Sequence, residues 1–392
     1  MATPASPVAA PPPAVQVADR PRQVPDVDHP AVTKLYQLLN ASGDGNFSDI
    51  HVHPGKPVRR LRFGNLILLQ APGGSTPLFT EEEIETWLAY ATNGDPDPFK
   101  GGHQCSPAID TGRWRVRAAF RHSLQGLTCS FRLIPRDVPL PADVGIPDHL
   151  QALTRRKSGL VLVEGGTGSG KTTFNAAMVN KANHEQDLHI YTIEDPIEYV
   201  FVEHGASTVV QREVGVHATS YPEAIEDALR SKPNIIVVGE MRNVETRDAA
   251  LWAATTGHLV FTTAHSGSVA EAIDTFIGVF PANEQPQIRT RLAQSLLAVV
   301  SQQLVPTVDG RLIAAREVLI NDINFSEIIR DGKTHLIPQQ MAGTRGSFTM
   351  EDSLTRLVEA GRVEPGVAMA HAKNPTELEA ALKRVNIRKA AA

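Results

Sequence analysis

The stretch "GLVLVEGGTGSGKTTF", residues 159–174, determines what kind of domain this chain builds. Its first half is an apolar run of the kind a strand needs when both of its faces are covered. Its second half, residues 165–172, fits G-x-x-x-x-G-K-[ST], and a helix-compatible run follows. Strand, glycine loop and helix in that order predict a phosphate-binding loop. Gly165, Gly166, Gly168 and Gly170 let the backbone wrap phosphates, with the amides of Thr167 and Ser169 turned inward. The helix that follows the loop aims the positive end of its dipole at the same point. Lys171 is placed to reach the β- and γ-phosphates. The Thr172 hydroxyl is a candidate ligand for Mg²⁺, and Thr173 continues the helix. The cofactors so predicted are ATP and Mg²⁺.

Three further apolar runs repeat the strand pattern downstream: "HIYTIED", "NIIVVGE" and "HLVFTTAH". Alternating with helical stretches, they predict a parallel α/β sheet. Glu240 ends the second of these runs, at the sheet edge where such folds bind ligands. It is the candidate to hold a magnesium-bound water or to polarise the attacking one. "TIEDPIEY", residues 192–199, places Glu194, Asp195 and Glu198 at another strand end, a set suited to a general base or a cation. His258 and His265 flank the last run. No further Cys or His lies near them in sequence to complete a zinc site. His265 is expected on the same edge as Glu240, and His258 at the strand's other end, capping it or acting across an interface.

The chain has 392 residues, 42% of them hydrophobic and 21% charged, with a formal net charge of −5. That length predicts two domains, and that charge argues against coating nucleic acid or an anionic bilayer. Cys105 and Cys129 are too few for a disulfide framework and are expected to be buried thiols of a reducing compartment. No run is apolar enough to cross a membrane, and the start carries no Lys or Arg ahead of its apolar residues, unlike a secretory signal.

Seven prolines in the first 25 residues mark residues 1–27 as a disordered tail. Residues 28–134 are expected to form a small α+β domain, with helices near Ala31–Asn40 and Glu81–Thr92. Its strands are expected around the Pro-Gly-Lys-Pro turn and in "GRWRVRAAFRH" and "LTCSFRLIP". The proline-rich residues 135–148 are the expected linker. Residues 149–362 form the second domain, and 363–392 a basic helical tail. Ile288, Leu292, Leu296, Val300 and Leu304 recur every four residues and predict one long amphipathic helix, with helical structure continuing to Arg362. Arg113, Arg115 and Arg117 alternate on one strand, near Arg121 and Arg132. They are either a solvated face or guanidiniums offered to a neighbouring subunit's γ-phosphate.

Four motifs in order, GGTGSGKT, TIEDPIEY, VVGEMRN and TTGHLVFTTAH, resemble those of the secretion and pilus-motor ATPases. The likeness runs from about Gly159 to Leu304 and is strongest to the PilT-like branch, which includes the DotB and conjugative TraJ ATPases. It implies a RecA-like ATPase domain behind a smaller PAS-like α+β domain. It also implies a homohexamer whose ATP hydrolysis drives domain rotation. By this resemblance Glu240 is the Walker B carboxylate, Glu198 belongs to an acidic box, and His258 and His265 form a histidine box. Arg115, Arg121 and Arg132 are the corresponding arginine sensors. "INFSEIIRD", residues 323–331, departs from the retraction motors' A-I-R-N-L-I-R, and no four-cysteine element is present. The resemblance therefore favours the DotB/TraJ type, powering conjugation or type IVB secretion, with pilus retraction as the alternative. It implies a cytoplasmic enzyme held peripherally at the inner membrane by platform proteins of its machine, with no direct nucleic-acid partner. A nucleic-acid translocase or a non-hydrolysing nucleotide-gated scaffold would use the same core.

Overall fold

The protein's structure, a computed structural model, describes residues 25–41, 49–62, 65–70, 74–100 and 102–391. The proline-rich start through residue 24 lies outside them. The first unit opens with helix α1 (Pro30–Ala41), strands β1 (Asp49–Val52), β2 (Arg59–Arg62) and β3 (Asn65–Leu68), and helix α2 (Glu81–Ala91). Strands β4 (Gln104–Cys105), β5 (Ala108–Asp110), β6 (Trp114–Ser123) and β7 (Gly126–Pro135) complete it. All pairings in this sheet are antiparallel, in the order β3-β2-β1-β7-β6-β4, with β5 on β6.

Strict alternation in β6 and β7 separates two faces. Val116, Ala118, Phe120, Cys129 and Phe131 point into a core shared with Leu35, Leu39, Ile84 and Trp87 of the two helices. Trp87 is fully buried yet keeps its polar atom satisfied, the indole Nε1–H donating to Ala31 O at 2.7 Å. A capping box of Thr80 and Glu83 fixes where α2 starts. Arg115, Arg117 and Arg132 stand on the opposite face.

After α3 (Asp148–Gln151) come β8 (Gly159–Glu164), α4 (Lys171–Glu185), β9 (His189–Glu194), β10 (Thr208–Glu213), α5 (Tyr221–Arg230) and β11 (Ile235–Val238). The unit continues with α6 (Val244–Thr255), β12 (Leu259–Ala264), α7 (Val269–Gly278) and α8 (Gln285–Ser295). Next are β13 (Leu296–Pro306), β14 (Leu312–Ile320), α9 (Ile323–Arg330), α10 (Ile337–Met341), α11 (Met350–Glu359), α12 (Pro365–His371) and α13 (Pro375–Ala391). The sheet order is β10-β9-β11-β12-β8-β13-β14, parallel throughout except for the β13–β14 pair. β8, β9, β11 and β12 are buried on both faces, as their unbroken apolar runs require. Leu160 and Leu162 face the core built by α5 to α10, and Val161 and Val163 the core under α4.

The long helix expected from Ile288 to Leu304 is corrected. Only Ile288 and Leu292 lie in α8; Leu296, Val300 and Leu304 belong to β13. A repeat of four is also two strand periods, so it fits either element. Asp309-Gly310 between two apolar runs is the hairpin signal that decides for strands, and β14 replaces the expected helical structure. β10, an edge strand, was not anticipated by the apolar pattern. The C-terminal helices are packed rather than loose. Ala368 and Leu378 are buried against Met350 and Leu354, and Lys373 pairs with the buried Glu317. Cys129 is buried as expected, whereas Cys105 is only half-buried; both are free.

Candidate active site

Parallel pairing brings the carboxyl ends of β8, β9, β11 and β12 to one edge of the sheet. The segments at these strand ends therefore converge: residues 165–170, Glu194 to Glu198, Glu240 and His265. Thr167, Gly168, Glu194, Glu198, Glu240 and His265 of these segments line a cavity of about 270 Å³ together with Lys171, Thr172, Tyr221 and Arg242. Its other wall comes from the first unit, where Arg117 and Arg132 reach in.

Backbone geometry explains two glycines of the loop. Gly165 has φ +145°, and a Cβ there would lie 2.3 Å from the Gln302 carbonyl. Gly170, which caps α4, has φ +85° and would meet Gln302 Nε2 at 2.9 Å. Neither position tolerates a side chain. Lys171 is buried, and its ammonium donates to Gly165 O (2.8 Å) and Gly166 O (3.0 Å). Burial lowers its pKa, with the carboxylates of Glu164 and Glu240 opposing that shift.

Glu240 is held from two sides. His265 Nε2 lies 3.2 Å from Oε1, and Arg242 donates to Oε2 from Nε (3.0 Å) and Nη2 (2.9 Å). Arg242 also approaches Asp195 at 4.0 Å. Glu194 is buried and takes a hydrogen bond from Thr192 Oγ1 at 2.7 Å; burial raises its pKa. Glu198 is partly exposed on the cavity wall, its N–H 3.4 Å from Glu194 Oε2. Thr173 Oγ1 and Tyr199 OH are 3.1 Å apart.

The arginine face of the first unit is turned toward the second and is not a solvated strand face. Arg117 and Arg132 stand opposite each other on β6 and β7. Such a like-charge pair disfavours the sheet and suits an anion lying over this face. Arg132 Nε also donates to Asp49 Oδ1 at 3.0 Å. Arg115 does not line this cavity; its Nε donates to Ile197 O (3.1 Å), joining the first unit to the acidic turn. Arg121 lies off the cavity, with its Nε donating to Gln104 Oε1 at 2.8 Å. His258 is likewise not brought in. It sits at the other end of β12, roughly 20 Å away by strand rise, with its N–H on Ala253 O at the end of α6. Arg117 belongs to the alternating arginine run whose guanidiniums the sequence offers to a γ-phosphate, and it reaches the cavity of its own chain. Sequence reasoning passed over Arg242, whose only signal is a basic residue two positions after Glu240.

Behind the loop, Glu164 is buried at the end of β8, and its Oε2 has no hydrogen-bond partner. Burial raises its pKa to about 7, against a hydrogen bond from Ser266 and the charges of Arg247 and Lys171. The native state thus keeps a proton that the unfolded chain releases at lower pH, so stability falls as pH rises from the unfolded value toward 7. Glu164→Gln should escape that loss. Urea unfolding should show it gaining about 2 kcal/mol over the native protein between about pH 5.5 and pH 8. An equal difference at both pH values would reject the buried proton.

A phosphate loop at the head of α4, with a strand-end carboxylate on the same edge of a parallel sheet, defines a P-loop nucleoside triphosphatase. Residues 145–359 match the Type II/IV secretion system protein family, and the chain belongs to it. Two relatives from Pseudomonas aeruginosa match over most of their length. The chain is 40% identical to the type IV pilus retraction ATPase PilT over 358 residues, 87% of this chain and 98% of that protein. It is 35% identical to the type IV pilus ATPase PilU over 356 residues, 89% and 91% of the two. Among solved structures, the pilus retraction motor PilT with bound ADP superposes with TM-score 0.77 at 33% identity, covering 88% of this chain and 99% of that one. Legionella pneumophila DotB superposes with TM-score 0.73 at 25% identity, covering 86% and 93%. The chain is therefore an ATPase with a RecA-like domain, a member of the PilT-like secretion and pilus-motor superfamily. The expectation of the DotB/TraJ type over the pilus type is not favoured by these identities.

Proposed function

We propose that this chain is a retraction-type motor ATPase of a type IV pilus, acting as a homohexamer on the cytoplasmic side of an inner-membrane platform. One observation carries the reading: a single cavity takes Lys171, Glu240 and His265 from one unit and Arg117 and Arg132 from the other. A nucleotide there touches both units, so loss of its γ-phosphate changes the contacts of each, which is how bound phosphate drives domain motion. The identity to PilT supports the pilus branch over the DotB/TraJ branch.

In this reading the loop amides and Lys171 hold the phosphates, Lys171 exchanging the carbonyls of Gly165 and Gly166 for phosphate oxygens. Glu240, fixed by Arg242 and His265, orients a water whose oxygen bonds to the γ-phosphorus as the bond to the bridging oxygen breaks. Arg117 and Arg132 offset the charge that develops. The cavity's oxygen donors, Thr172, Glu194, Glu198 and Glu240, fit a hard divalent cation. Mg²⁺ would be held by the Thr172 hydroxyl and, through water, by Glu240. When bound, it neutralises phosphate charge.

Deleting the gene in its own host tests the assignment. Loss of twitching with intact conjugative transfer is expected. Normal twitching with lost transfer would reject pilus retraction in favour of the DotB/TraJ type.

A further inference from the structure

We propose that Gln302 and Arg316 are positioning residues for nucleotide binding, transmitting the position of the inter-domain segment at Val144 and Gly145 to the floor of the phosphate loop at Ser169. Arg316, on β14, is 5% exposed. Its hydrogen bonds go to neutral acceptors: Nε to Gln302 Oε1 (2.7 Å), Nη1 to Gly145 O (2.6 Å) and Nη2 to Val144 O (2.7 Å). Its guanidinium carbon also lies 5.7 Å from the Phe174 ring centroid on α4. Burial lowers its pKa to about 10. A buried cation is costly to keep, and only a planar fork satisfies three acceptors in these directions at once.

Gln302, on the neighbouring strand β13, passes the contact on. It is 4% exposed, and its Nε2 donates to Ser169 O at 2.6 Å. Its backbone carbonyl lies under Gly165 and its amide under Gly170, so both ends of the loop rest on this one residue. A second tie grips the same inter-domain segment from α4, where Asn180 Nδ2 donates to Val138 O at 2.8 Å. From Gly145 to Ser169 the path is two buried side chains long, starting at the exposed Gly145 and partly buried Val144. Arg316 and Gln302 have no open space between them, so a shift at the Arg316 end is passed to Ser169.

The inference rests on reading residues 165–172 as the nucleotide-binding loop. The test measures affinity of the full chain for a fluorescent ADP analogue, together with steady-state ATP turnover. Gln302→Glu keeps the acceptor for Arg316 and replaces the donor to Ser169 O by a carboxylate. It should raise the KM for ATP about tenfold while kcat changes less than about threefold. Gly145→Ala perturbs only the linker backbone, because φ is +61° and nothing lies within 4 Å of the new Cβ. It should weaken ADP binding severalfold in the native background and have no further effect alongside Gln302→Glu. Multiplying effects in the double variant, or unchanged affinity in Gln302→Glu, would overturn the relay. If Gln302→Glu does not fold, Arg316→Lys takes its place in the cycle with the same expectation. Lys171→Ala must lose affinity in this assay. Its retention would remove the loop reading, a failure distinct from additivity in the cycle.

Discussion

Glu240→Gln should bind ATP like the native enzyme and release phosphate about 10²- to 10⁴-fold more slowly. The substitution preserves volume, and the new amide oxygen can still accept from His265 or Arg242 at the end of β11. What it lacks is a carboxylate able to orient a water and accept its proton. Binding is expected to survive because the loop amides, Lys171 and Thr172 are untouched. Phosphate release followed in single turnover, beside equilibrium binding of an ATP analogue, separates the two. Turnover within tenfold of native would remove Glu240 from the chemistry.

Lys171→Ala should lower nucleotide affinity by about 100-fold or more, the scale expected when a charged, partly desolvated partner is removed. The ammonium already lies against Gly165 O and Gly166 O, pointing along the loop it would serve. Removing it leaves two carbonyls with one fewer donor, a cost of about 1–3 kcal/mol if they stay dry. It also releases the charge that burial disfavours. Thermal unfolding should therefore move little while affinity collapses. Calorimetric titration with ADP checks this, and an unchanged affinity would contradict the assignment of the loop.

How much of this was legible in the sequence differs by element. The strand–loop–helix from Gly159 could be read because a doubly buried strand and a phosphate loop each leave a local signature. The convergence of Glu240, His265 and the acidic turn came from strand ends in a parallel sheet. β13 and β14 were not legible from apolar spacing, since Leu296, Val300 and Leu304 satisfy a strand and a helix equally. Gln302 and Arg316 lie on that misread pair, so their place beneath the phosphate loop could not be inferred. The arginines of β6 and β7 presented an opposite difficulty. Their alternation fixed the face they share, but only tertiary packing turns Arg117 and Arg132 to the cavity while Arg121 stays outside. His258 and His265 bracket one strand of fixed rise, so the sequence could separate them but could not say which contact His258 makes.

The proposed mechanism depends on one nucleotide being held between the phosphate loop and the arginine face of the first unit, with Glu240 at its γ-phosphate. A structure of Glu240→Gln with ATP and Mg²⁺ decides the matter. The γ-phosphate should lie against Lys171, residue 240 and His265, with Arg117 and Arg132 facing the same cavity. Nucleotide bound away from residues 165–172, or bound there with both arginines unable to approach it, would refute the mechanism.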